Sequence, residues 1–155
     1  MNDENTVLEN IATFDQTESI ADEILARVKL LAATILAAES DQSGEVNIVF
    51  TDNEILRSLN NTWRGKDEPT DVLSFSLREQ DDHPVEGDVY ISVPIAEVQG
   101  QEAGHGLEFE IYHLVAHGIL HLCGWQHESE SALKTMIAEG ASFIELVLQD
   151  VSIGS

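Results

Sequence analysis

FEIYHLVAHGILHLCGWQH, residues 109–127, is the stretch whose reading decides the fold. Phe109–Leu122 is apolar nearly all round, which predicts a buried central helix rather than a surface one. Histidines stand at 113, 117 and 121, four apart, and again at 127. Four residues of helix advance about 6 Å, so His117 and His121 leave one face in the relation that two ligands of one metal ion need. Gly124 predicts the helix stop, because glycine takes the left-handed conformation after a helix without a Cβ penalty. A turn there returns His127 to the first two rings. Three neutral imidazoles and one open position make the donor set of a catalytic zinc site; structural sites are closed by a fourth protein ligand, often cysteine. His113, one turn upstream, is read as a supporting or substrate-contacting group, since a fourth ligand would close the open position.

Around this helix the pattern alternates without strict βαβ order. Apolar residues at helical spacing (Ile20, Ile24, Val28, Leu31, Ile35) predict a long helix over 19–38. Strands are predicted at Val46–Phe50, Val72–Ser76 and Asp88–Ser92, with a hairpin-type loop over 81–86. Thr51 or Asp52 caps a helix to about Thr62 with Ile55 and Leu59 facing in. Pro94 starts a short helix, and 129–148 is a final amphipathic one. Residues 1–17 are weakly patterned: a first strand around Val7–Phe14, or a loose segment. The expectation is an α+β fold, one domain over 1–155, with a small mixed four-stranded sheet, about five helices and the metal-bearing helix at the centre.

Composition excludes several classes. Of 155 residues 43% are hydrophobic, enough for a real core. The one cysteine, Cys123, excludes an internal disulfide and reads as a small buried hydrophobe. The acidic start lacks the marks of a secretory signal, and no apolar run reaches membrane-spanning length, so a soluble cytoplasmic protein is expected. The net charge is −22, from 29 acidic and 7 basic residues. Four of those basic residues, Arg57, Arg64, Lys66 and Arg78, fall in one block, leaving the rest of the surface negative. Arg64 offers bidentate recognition of phosphate, or an ion pair with Asp67 or Glu68; Lys66 is an auxiliary phosphate contact. Asp71 and Asp88 orient a histidine or cap a turn, and Trp63, Phe75 and Trp125 either pack in the core or stack on bases. The HxxxH pair invites comparison with zinc peptidases, but their general base follows the first histidine, and that position is Gly118.

Three blocks together resemble a known family. LNNTWRGKDEPTDVLSF (59–75), GDVYIS (87–92) and the histidine block are similar to the YbeY family of bacterial rRNA maturation endoribonucleases, over roughly residues 46–140. The resemblance implies one zinc ion per chain, or another divalent transition metal, on His117, His121 and His127, and matches the family's invariant arginine to Arg64. Arg64, His117 and His121 are then the candidate catalytic residues, and Arg64, Lys66 and His113 the candidate substrate contacts. It further implies single-strand cleavage in 16S rRNA 3′-end processing and ribosome quality control. The implied partners are ribosomal RNA and the small subunit, with no DNA and no membrane. Gly124-Trp125-Gln126 stands where the family commonly has Gly-Tyr-Asp. Two other readings fit the residues: a non-catalytic ribosome-associated factor with a structural metal, and a metallo-hydrolase of another substrate.

Overall fold

Helix Gly106–Leu122, the fifth of the chain, lies at the centre, packed against other helices and against one edge of the sheet. The computed structural model describes residues 3–154, with side chains through Gln149; the first two residues of the weakly patterned stretch lie outside it. In chain order the elements are α1 (Glu4–Glu9), β1 (Ile11–Asp15), α2 (Asp22–Glu39), β2 (Ser43–Thr51), α3 (Asn53–Arg64), β3 (Val72–Ser76), β4 (Val85–Ser92), α4 (Val93–Ala103), α5 (Gly106–Leu122) and α6 (Glu130–Gly154). The four strands form one sheet in the order β1-β2-β4-β3. β1, β2 and β4 run parallel, and β3 runs antiparallel on the edge.

The α+β expectation holds, with two local corrections. Six helices form rather than five, because α1 occupies residues where a strand from Val7 was expected, and β1 starts only at Ile11. Six residues are too few to stand as a helix alone. The Asp3 carboxylate accepts the Asn5 N–H at 3.2 Å and caps the helix, and Val7 anchors it in the core. In α3 the inward residues are Leu56 and Asn60; Ile55 is 42% exposed and Leu59 half-buried. Asp52 sets this phase by accepting the Ile55 N–H at 2.9 Å, and Asn60 turns inward because its amide donates to the Glu68 carbonyl at 3.1 Å.

One face of the sheet carries the core. Val46, Ile48 and Phe50 of β2 and Val89 and Ile91 of β4 share one core with α2 and α5, where Ile111, Val115, Ile119 and Leu122 are buried. Burial on this scale, roughly 2 kcal/mol for each large apolar side chain, holds α5 against the sheet. Two glycines let the backbones approach. A Cβ on Gly118 of α5 would lie 2.6 Å from Val89 Cγ1, and one on Gly87 of β4 only 2.2 Å from the Phe75 carbonyl oxygen. The C-terminal half of α5 therefore lies directly against β3 and β4.

Candidate metal centre

The site is made by the way α5 ends. Gly124 adopts φ 104°, its N–H bonds the His121 carbonyl at 3.0 Å, and the Trp125 N–H bonds the Leu120 carbonyl at 3.1 Å. This paired closure satisfies two orphan carbonyls and reverses the chain, as the glycine predicted. The reversal carries His127 back to His117 and His121. The three rings offer nitrogen atoms all within 4.8 Å of one another, and among the described residues no other such group of metal-ligating side chains occurs. His113 lies outside it, its ring centroid 6.3 Å from that of His117.

The donors fit a metal ion. The His121 Nδ1–H donates to the Trp125 carbonyl at 2.9 Å, since a carbonyl can only accept. That bond fixes the tautomer and aims the Nε2 lone pair at the cluster. His121 Nε2 lies 3.1 Å from His117 Nε2. Two nitrogens on one tetrahedral zinc stand about 3.3 Å apart, from bonds of about 2.05 Å. Burial holds the His117 imidazole far below its ordinary value, at about 4, and the neighbouring His121, His113 and His127 rings add to the effect. Burial also lowers His121, with His127 and Arg64 acting the same way against the opposing Trp125 hydrogen bond. Both rings are thus neutral at pH 7, the state in which imidazole binds metal.

The rings open on a cleft of about 580 Å³ between α5, β3 and the last turn of α3. Arg64 lines it and donates to the Ser74 carbonyl at 3.4 Å. The expected alternative, an ion pair of Arg64 with Asp67, does not form: Arg57 takes Asp67 through contacts of 2.8 and 3.3 Å. The Arg64 guanidinium makes no ion pair among the described residues, so its charge faces the cleft. Lys66 is exposed and, like His113, does not line the cleft. Asp71 lines it; Asp88 does not, and instead accepts the Asn47 amide at 3.0 Å. Cys123 is kept from the cluster, its thiol pushed up to about 12 by burial. Gln126 lines the cleft beside Trp125, whose indole N–H reaches Glu39 at 3.3 Å.

Ser74, Ser76 and Glu128 also line the cleft and were not foreseen. The signal was present for the serines: alternation along Val72–Ser76 puts two hydroxyls on the face that meets an apolar helix. The Ser74 hydroxyl donates to the Gly118 carbonyl at 3.0 Å, tying α5 to β3. The close approach of Val89 Cγ1, 2.6 Å from where a Cβ on Gly118 would lie, removes peptidase chemistry of the His-Glu-x-x-His type, because it leaves no room for a glutamate side chain there.

A mixed sheet backing a buried helix that gathers three imidazoles beside an arginine without an ion pair defines a class: small α+β proteins with a solvent-open group of nitrogen donors, able to hold a metal ion, facing a cationic side chain. Within that class the chain belongs to the endoribonuclease YbeY family, whose model matches residues 10–147. It is 40% identical over 136 residues to an endoribonuclease YbeY of Geobacillus thermodenitrificans, covering 81% of this chain and 87% of that protein. A second, from Geobacillus kaustophilus, is 38% identical over 141 residues, 84% and 90% of the two chains. The solution structure of TM1509 from Thermotoga maritima superposes with a TM-score of 0.65 at 28% identity, covering 93% of each chain.

Proposed function

We propose that the chain is a metal-dependent endoribonuclease of the cytoplasm that cuts single-stranded RNA in ribosomal RNA maturation, at the 3′ end of 16S rRNA, and serves ribosome quality control. The observation that carries this reading is the convergence of three clustered imidazoles and one arginine without an ion pair on a single cleft in a member of an endoribonuclease family.

His117, His121 and His127 would hold one zinc ion, with Trp125 orienting His121 through its carbonyl. When bound there, the ion supplies Lewis acidity toward a phosphoryl oxygen. The remaining work falls to the chain. Arg64 presents a planar donor fork from the opposite wall, able to hold two oxygens of the scissile phosphate and offset charge as it develops. The Asp71 and Glu128 side chains line the cleft and are its nearest candidates to accept a proton from the attacking hydroxyl. Lys66, outside the lining, and His113, a turn above His117, would act on flanking phosphates or on ring position.

The test joins metal content to cleavage. Purified chain, analysed by native mass spectrometry and inductively coupled plasma, should carry one zinc and should cut a 16S rRNA 3′ precursor. His117→Ala should lose both zinc and cleavage, and Arg64→Ala cleavage alone. A fully loaded protein that cuts no RNA, free or on the small subunit, refutes the enzyme reading in favour of a ribosome-associated factor.

A further inference from the structure

The last turn of α3 straddles the free edge of the sheet, and its two faces do different things. Leu77 N–H pairs with the Glu86 carbonyl, so alternation turns the Ser74 carbonyl away from the sheet, where Arg64 reaches it. Ser74 sends its side chain to α5 and the cleft. Phe75 therefore points to the opposite face, and there Trp63, the residue before Arg64, meets it edge to face with ring centroids 6.5 Å apart. Phe75 meets Tyr90 in turn at 5.9 Å. Trp63 is 69% exposed, and Phe75 and Tyr90 are half-buried. Three linked aromatic rings thus lie just over the β3 edge from the metal cleft.

We propose that these rings are a stacking platform for the single-stranded RNA that leaves the cleft, with Trp63 taking the first base beyond the edge. The inference rests on the endoribonuclease reading and deepens it. A strand whose phosphate is held by Arg64 needs to cross only one β-strand to lay its next bases against Trp63. Continuity with the cleft favours this occupant, and so does charge. A chain of net charge −22 has few cations with which to hold a polyanion, whereas base–aromatic stacking needs none.

The experiment uses the full metal-loaded chain and a single-stranded RNA dodecamer, with two readouts. For cleavage, Trp63→Ala should lower kcat/KM roughly 5- to 100-fold, carried by KM, and Trp63→Phe should restore most of it. For binding, the dodecamer should quench the fluorescence that wild type has and Trp63→Phe lacks. An RNA abasic at the nucleotides flanking the cut should show the same KM loss with wild type and no further loss with Trp63→Ala. If wild type cuts RNA and Trp63→Ala cuts it with unaltered KM, the platform is refuted and the enzyme reading stands. If wild type cuts nothing, quenching by RNA of the fluorescence that Trp63→Phe lacks still supports the platform, and quenching confined to Trp125, or none, refutes it. Quenching by an unfolded protein such as casein, and not by RNA, refutes it in favour of a protein occupant.

Discussion

Gly118→Ala is the sharpest test of how α5 is held against the sheet. The added methyl would lie 2.6 Å from Val89 Cγ1, 3.2 Å from Ser74 Oγ and 3.4 Å from Val72 Cγ2. Carbon atoms pack at about 3.5–4.0 Å, so the first contact is too short by about 1 Å. Val89 is fully buried and cannot swing away, which places the cost in the range of overpacking, about 1–3 kcal/mol. Alanine in place of glycine returns about 1 kcal/mol of helix propensity. The net loss is up to about 2 kcal/mol, or a fall in Tm of up to about 8 °C for a chain of 155 residues. Gly140→Ala in α6 is the control. Its methyl would meet Ala116 Cβ at 3.3 Å and Leu120 Cδ1 at 3.8 Å, so the propensity gain should leave it neutral or stabilised. Both changes restrict the unfolded chain alike, and their difference reports the folded contact. Urea denaturation of the apo protein at pH 7 measures it. Adding Val89→Ala to Gly118→Ala should recover about 1 kcal/mol relative to the sum of the single changes. A Gly118→Ala protein that matches Gly140→Ala refutes the close approach and with it the steric exclusion of a glutamate base.

Other outcomes follow from the same geometry. Gly87→Ala should be worse than Gly118→Ala, because its methyl meets a backbone carbonyl that no rotamer can move; equal losses by urea denaturation would contradict this. Arg64→Ala should cut cleavage at least ~10²-fold with zinc content intact, and Arg64→Lys should recover little of it, since lysine lacks the planar fork; parallel loss of zinc would show a structural role. For pH, the His117 imidazole titrates at about 4 in the folded protein against 6.5 when exposed. The unfolded chain therefore takes up the proton first. The contribution of His117 to apo stability should be flat above pH 6.5 and fall by at most about 3 kcal/mol down to pH 4, and His121, lowered as well, should add to the fall. His117→Gln should flatten that portion of the curve, and an unchanged slope would rule it out.

The sequence spoke most clearly where local physics acts alone. Gly124 announced the turn that closes the histidine cluster because a left-handed residue after an apolar helix has few other uses. The i, i+4 spacing of His117 and His121 is likewise local. α1 was hidden because six residues carry no period, and its stability comes from Val7 in the core. The phase of α3 was misread because a search for apolar positions selects Ile55 and passes over Asn60, whose burial is explained only by the Glu68 carbonyl it meets. Arg64 could be named, but its nearness to the histidines depends on β3 lying at the antiparallel edge beside β4 rather than beside β2. That order is a property of the whole sheet, and no window of sequence contains it.

The charge of the chain leads to the last prediction. Arg27 is engaged by Glu108 and Arg57 by Asp67, at 3.0 and 2.8 Å. Arg64 is then the lining cation that meets a phosphate in the cleft, with Lys66 beyond the rim. One or two phosphate contacts give a slope of about −0.7 to −1.4 in log affinity against log salt for a single strand. Raising salt from 50 to 200 mM should thus weaken RNA binding only ~3- to 7-fold, where a basic nuclease with six contacts would lose several hundred-fold. Affinity that survives such a change must come from elsewhere than cationic side chains, which on the proposals above means the metal and the rings along the β3 edge. Fluorescence titration of the dodecamer across that range measures the slope. A value steeper than about −3 would show that many more cations reach the RNA than the cleft presents, and would refute this account of how so acidic a protein holds a polyanion.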